Sequence, residues 1–245
     1  MHMKWTSKPL INHNVITREF EVASGDHIVP VIVWTPTAAP DKVPLVLIGH
    51  GGSQHKSDTG ITELAYRFVK RYGFAVAAID GPIHGARRNT ALTGPAMQAE
   101  FRVMWDQDTR IDFMVTDWQI AIDALISLKE IDPNSIGWYG VSMGTSYGLP
   151  LVAADHRIKA ALLGMWGTNY PNSQRLADDA PKILCPVLFQ MKWDDQFFTR
   201  EGQIDLFDRL GSEQKWLKIY MGGHVPVDGQ QLDDIEVFLA RKLQT

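Results

Sequence analysis

Apolar and polar positions along the chain alternate between two rhythms. Val15 to Val22 and His27 to Trp34 are rich in Val and Ile and flank Ser24-Gly25-Asp26, so they read as an antiparallel strand pair joined by a Gly-Asp turn. Leu45 to Ile48 is an unbroken apolar run, as expected of a strand covered on both faces in a parallel sheet. Ile61, Leu64, Ala65, Phe68 and Val69 then repeat at the helical spacing i, i+3, i+4, i+7, i+8, and Phe74 to Ile79 returns to a buried strand. Ile111, Met114, Val115, Trp118, Ile122 and Leu125 hold helical period again. Asp132-Pro133-Asn134 punctuates the way into a strand over Ser135 to Val141. A helix of small residues follows Ser142, and Ala160 to Leu163, Pro186 to Met191 and Lys215 to Tyr220 read as further strands. Glu201 to Leu210 is helical, and Leu232, Ile235, Leu239 and Leu243 mark a closing helix.

Strand and helix in repeated alternation predict an α/β fold, with a mostly parallel central sheet of about eight strands and helices on both faces. No internal repeat, low-complexity tract or linker divides residues 1–245, so a single domain is expected. One insertion, at 83–108, interrupts the alternation. Within it Met97, Phe101, Met104 and Trp105 repeat at i, i+4, i+7 and i+8, a face that suits either a short helix packed on the core or a small lid roofing an apolar pocket.

Composition narrows the function. Hydrophobic residues make up 45% of the chain, enough for a buried core, and the formal charge is 24 − 28 = −4. A surface that tracks phosphates needs clustered Lys and Arg in excess, so nucleic acid is not an expected partner. Cys185, the single cysteine, cannot form an intramolecular disulfide and reads as a core thiol. Residues 1–10 lack a basic segment followed by an apolar one, and no apolar stretch reaches the ~18 to 20 residues that cross a bilayer. A soluble cytoplasmic protein with no membrane partner is expected, and nothing in the pattern fixes an oligomeric state. There is no H-E-x-x-H, no paired cysteines and no third ligand beside His50 and His55, so no metal is expected. Without G-x-G-x-x-G or a P-loop lysine, no cofactor is expected either.

The sharpest chemical signal is Gly140-Val141-Ser142-Met143-Gly144 between a predicted strand and a predicted helix. This is the setting in which G-x-S-x-G forms a nucleophile elbow, with the Ser142 hydroxyl raised at the start of a helix. A serine nucleophile needs a base, and the base needs an orienting carboxylate, in the chain order Ser, Asp, His. Gly222-Gly223-His224 follows the last predicted strand, and Trp193-Asp194-Asp195-Gln196 follows the strand before it. Spacing leaves Asp194 and Asp195 both open. His50-Gly51-Gly52-Ser53, at the end of the strand over Leu45 to Ile48, supplies the glycines that let backbone amides approach an oxyanion. The expected donors are the amides of Met143 and Gly52.

With these elements in order, nearly the whole chain resembles the α/β-hydrolase superfamily, and within it the dienelactone-hydrolase-like and acyl-esterase group. Asp80-Gly81-Pro82-Ile83-His84-Gly85-Ala86-Arg87 is similar to the family's D-x-x-x-H-G-x-R segment, which implies that His84 shapes the site without doing chemistry. Lys192 to Thr199 is similar to the family's G-x-x-D-x-x-V-P pattern, with Lys192 in place of its glycine and Phe198-Thr199 in place of V-P. Counting back along that pattern assigns Asp195 as the acid and leaves Asp194 in reserve. The namesake enzyme has cysteine at the elbow where this chain has Ser142, which favours ordinary esters over the namesake lactone. Thr145 stands where many relatives continue with glycine.

The expectation is therefore a serine hydrolase that cleaves carboxylic esters of small molecules through an acyl-enzyme, with Ser142, His224 and Asp195 as triad. Met104, Trp105 and Trp166 are expected to line the substrate pocket, and Arg87 and Arg88 to meet a carboxylated substrate. The same machinery serves thioester, lactone or peptide hydrolysis and acyl transfer, and the competing class is a noncatalytic receptor on the same scaffold.

Overall fold

The computed structural model describes residues 3–39, 41–88 and 94–244. Its strands are β1 (Met3–Trp5), β2 (Leu10–Asn12), β3 (Val15–Ser24), β4 (His27–Pro36), β5 (Val43–Ile48), β6 (Ala75–Ile79), β7 (Ile131–Tyr139), β8 (Ile158–Gly164), β9 (Val187–Lys192) and β10 (Lys215–Tyr220). They form one sheet in the order β1-β3-β4-β6-β5-β7-β8-β9-β10, with β2 also paired to β3. From β6 to β10 every pairing is parallel, while β1 to β4 add an antiparallel flank. The sheet thus has ten strands among the described residues rather than about eight. The extra pair, β1 and β2, are three residues each, too short for alternation to mark them.

Helices α1 (Thr59–Tyr72) and α7 (Gly229–Leu243) cover one face, and α3 (Ile111–Ile126) and α4 (Met143–Ala154) the other. On the second face lie also α2 (Gly94–Gln107), α5 (Gln174–Asp179) and α6 (Arg200–Arg209). The periodic face of α1 buries Ile61, Leu64, Ala65, Phe68 and Val69, and each large side chain among them contributes roughly 1.5–3 kcal/mol by leaving water. Gly73 stops α1 at φ 71°, where its amide bonds Val69 O at 3.1 Å and the Phe74 amide reaches Phe68 O at 3.4 Å. Among the described residues no helix is long and apolar enough to cross a membrane.

The structure redraws one boundary in a way that matters for the site. Asp132-Pro133-Asn134 lies inside β7, where the Asn134 amide donates to Asp132 Oδ1 at 2.9 Å and the pairing with β5 slips between Val43 and Leu45. Turn chemistry here makes an irregularity within the strand and not its start. At the other end β7 stops at Tyr139, because Gly140 and Val141 already belong to the turn that carries Ser142. The parallel strands all point their carboxyl ends to one edge, so the loops after β5, β6, β7, β8, β9 and β10 converge there.

Candidate active site

Ser142 sits between β7 and α4 with φ 58° and ψ −125°, a conformation that costs a non-glycine residue about 1–3 kcal/mol. The flanking glycines make the turn possible. A Cβ on Gly140 would lie 2.7 Å from Gly144 O, and one on Gly144 would lie 2.4 Å from Gly49 O. Thr145, where relatives carry glycine, is fully buried and ties the elbow to the end of β8. Its hydroxyl accepts the Gly164 amide at 2.7 Å and lies 2.6 Å from Gly164 O and 2.8 Å from Gly140 O. The amides of Gly144, Thr145 and Ser146 bond back to Val141 O and Ser142 O. The Met143 amide, first in the helix, meets no acceptor among the described residues.

Ser142 Oγ lies 2.8 Å from His224 Nε2, and His224 Nδ1 lies 2.8 Å from Asp195 Oδ2. Asp195 is fully buried, and its other oxygen accepts the amides of Phe197 at 2.9 Å and Phe198 at 3.1 Å. With one oxygen held by two amides, the second is fixed toward His224. Asp194, the reserve, points elsewhere: it is exposed, lies 3.5 Å from Arg200 and bonds the Gly222 amide at 3.4 Å. Together with Gln196 Oε1, which accepts the His224 amide at 2.9 Å, it laces the acid loop to the base loop. The rings of Phe197 and Phe198 stand 5.2 and 5.4 Å from the His224 ring. Thr199 caps α6, its hydroxyl accepting the Gly202 amide at 3.1 Å.

The loops after β5 and β6 lean on each other. Asp80, fully buried, accepts the amides of Lys56 at 2.8 Å and Ala86 at 2.9 Å. His50 and His84 are buried behind Gly51 and Gly52, and burial lowers the pKa of both, that of His84 to about 3. Arg87 and Arg88, expected to meet substrate, are engaged within the chain: Arg87 Nη2 lies 2.6 Å from the buried Asp117, and Arg88 Nη2 lies 2.9 Å from Glu100. Neither arginine lines a cavity that borders Ser142.

Two cavities of very different size share Ser142, His224 and Gly52 in their walls. One, about 780 Å³, runs over α1 toward α7 and is bordered by Gln54, Tyr66, Met165 and Val225. The other, about 20 Å³, is bordered by Phe101, Trp166, Tyr170, Phe197 and Phe198. Trp166 therefore lines the site, with its Nε1 donating to Ser173 Oγ at 2.9 Å. Trp105 and Met104 do not. Trp105 is fully buried behind Trp166, ring centroids 5.0 Å apart, and donates to Pro171 O at 2.7 Å, while Met104 packs half-buried against the core. Helix α2 reaches the smaller cavity with Gln98, Phe101 and Arg102 and the larger one with Gly94, Pro95 and Gln98. Residues 89–93 of the expected 83–108 insertion lie outside the described residues. Among the described residues no three His, Cys, Asp or Glu side chains cluster as a metal site.

A strained serine between a parallel strand and a helix, on a sheet of this order, defines an α/β-hydrolase. Among solved structures, the chain is similar to a cold-adapted esterase from an Arctic intertidal metagenomic library, at 34% identity over 98% of this chain and 99% of that one, with a TM-score of 0.86. It is also similar in fold to acetyl xylan esterase 1 from Thermoanaerobacterium sp. (15% identity, 99% and 88% of the two chains, TM-score 0.76). A dienelactone hydrolase-like promiscuous phosphotriesterase from metagenomic libraries shares that fold too (17% identity, 94% and 99%, TM-score 0.70). No protein-family model and no curated protein sequence matches the chain. The chain belongs to the α/β-hydrolase superfamily, in the same esterase family as that cold-adapted enzyme, and is a carboxylic ester hydrolase.

Proposed function

We propose that the chain hydrolyses esters of short carboxylic acids through an acyl-enzyme on Ser142. The observation that carries this reading is the unbroken relay Ser142 Oγ, His224 Nε2, His224 Nδ1, Asp195 Oδ2, each step 2.8 Å. Because the carboxylate only accepts, His224 holds its proton on Nδ1 and offers the Nε2 lone pair to the serine. His224 takes the Ser142 proton as Oγ adds to the ester carbonyl, and the oxyanion settles on the amides of Met143 and Gly52. The same proton then passes to the leaving alcohol. In the second half, His224 removes a proton from water, which attacks the acyl-enzyme and releases the acid and Ser142.

The cavities supply the substrate's shape. A space of about 20 Å³ admits a group little larger than one water molecule, which suits the methyl of an acetyl group, while the 780 Å³ space accommodates a bulky alcohol. Hydrolysis of a p-nitrophenyl ester series tests both halves of the reading. Acetate is expected to be cleaved at least about tenfold faster in kcat/KM than hexanoate, since misfit in a narrow, well-packed pocket costs about 1–3 kcal/mol. Ser142→Ala is expected to abolish turnover of every ester. Undiminished activity in Ser142→Ala would remove the mechanism, and a preference for long acyl chains would exchange the roles of the two cavities.

A further inference from the structure

Gly52 contributes to the oxyanion hole only if its amide points at the reacting oxygen, and glycine by itself holds no direction. The peptide unit that carries the Gly52 N–H also carries the Gly51 carbonyl, and in a trans peptide the two point opposite ways. His50 Nδ1 lies 2.9 Å from Gly51 O, so it bonds the back of the very unit whose front is the donor. The next unit is held in the same fashion: His84 Nε2 lies 3.2 Å from Gly52 O. Both planes that meet at the Gly52 Cα are therefore fixed from behind.

The two rings are themselves fixed. The Gly81 amide donates to His50 Nε2 at 2.9 Å, which makes that nitrogen the acceptor and places the proton on Nδ1, facing Gly51 O. The His84 amide returns to Gly81 O at 3.1 Å, closing a frame of His50, Gly81 and His84. The rings of His50 and His84 meet edge-on at 5.0 Å, and Phe101 packs both on His84, at 6.1 Å, and on the loop. A Cβ added at Gly52 would lie 3.2 Å from the Phe101 ring. His84 Nδ1 is buried and meets no partner among the described residues, which places the His84 proton on Nε2, facing Gly52 O. Both histidines are buried, 2% and 0% exposed, so water does not compete for either carbonyl.

We infer that His50 and His84 are positioning residues that aim the Gly52 amide at the oxyanion, His84 acting from the segment after β6 on a loop that follows β5. The inference rests on the acyl-enzyme reading above. Neither histidine touches the substrate or exchanges a proton with it. Each works by holding a carbonyl whose movement would turn the donor away, and a donor about 1 Å out of place costs up to about 10²-fold in rate.

The test compares His84→Met, which fills the space without a donor, with His84→Gln, whose amide reaches Gly52 O. The Met variant is expected to lose about 10- to 100-fold in kcat on p-nitrophenyl acetate, with KM within about threefold. Its affinity for an aryl trifluoromethyl ketone, which forms a tetrahedral oxyanion on Ser142, is expected to fall by the same factor, and the Gln variant to recover most of both. Rates are referred to active sites counted by end-point fluorophosphonate titration, so loss of folded protein does not imitate the effect. Wild-type kcat and ketone affinity in His84→Met, or an equal loss in His84→Gln, would overturn the inference. On the wild-type protein, nitrogen-15 histidine spectra are expected to show His50 as the Nδ1–H form at about pH 7.5 and His84 as the Nε2–H form throughout about pH 5 to 8. The opposite tautomer in either ring would overturn the inference even where the variants fail to fold. A wild type indifferent to Ser142→Ala would instead strike the acyl-enzyme reading on which it stands.

Discussion

Histidines serve the loop after β10 and the loops after β5 and β6 in opposite ways. His224 is bonded at both ring nitrogens by groups that gain from a moving proton, Ser142 on one side and Asp195 on the other, so a charge formed on the ring has a carboxylate to meet it. His50 and His84 each give a proton to a carbonyl, and among the described residues no carboxylate bonds the other nitrogen of either ring. The Gly81 amide occupies the second nitrogen of His50, and that of His84 has no partner among the described residues. Desolvation then keeps His84 neutral down to about pH 3, with the neighbouring His50 adding to the same effect. A buried carboxylate at one nitrogen is what turns a ring into a base. Its absence, with a carbonyl in its place, turns the same ring into a brace.

Replacing His224 should break this contrast most severely. His224→Ala removes the base and should lower kcat on p-nitrophenyl acetate by on the order of 10⁴- to 10⁶-fold, measured against the uncatalysed rate. A loss no larger than that of His84→Met would mean that His224 also only positions. The next effect belongs to the partner that makes His224 different. Asp195→Asn should cost about 10⁴-fold by favouring the wrong tautomer of His224, while Asp194→Asn, which loosens a long hydrogen bond to Gly222 and an exposed ion pair with Arg200, should stay within about threefold. The reverse order in paired kinetic measurements would move the acid to Asp194.

The smallest expected effect is on stability, and it isolates the brace. Below about pH 6.5 an unfolded chain protonates at His84, whereas the folded protein resists until about pH 3. The folded state therefore binds fewer protons in that window, and stability that is complete above about pH 6.5 is lost as the pH falls, by up to ~1.4 kcal/mol per pH unit for this one group. His84→Gln has nothing to titrate there, so its urea midpoint should fall less steeply between about pH 6.5 and 4. Parallel slopes for the two proteins would show that His84 is protonated in the folded state.

Much of the sheet was legible because buried parallel strands leave unbroken apolar runs and helices leave a 3.6-residue period. Ser142, His224 and the loop of Asp195 followed from the order of strand ends, which chain order alone specifies. What stayed hidden depended on which way a loop turns or on a partner distant in sequence. Asp194 and Asp195 are chemically alike, and only the capture of Asp195 Oδ1 by the amides of Phe197 and Phe198 separates them. Apolar period put Trp105 on one face of a helix, suited to the core or to a pocket, and could not show that Trp166 stands between it and the cavity. Arg87 and Arg88 looked available because nothing in their neighbourhood announces Asp117 and Glu100 as partners. The family resemblance implied that His84 shapes the site; the Gly52 carbonyl that its Nε2 meets, 32 positions away, was not legible.

The account turns on Ser142 as a nucleophile that His224 activates. Reaction with a fluorophosphonate, followed by peptide mass mapping, examines that directly, because the reagent forms a stable bond only with an activated serine beside an oxyanion hole. One label per chain on the peptide that carries Ser142, absent in Ser142→Ala and formed at least about 10³-fold more slowly in His224→Ala, is the predicted result. Esterase activity with Ser142 unlabelled, or inactivation by a label on another residue, would contradict it.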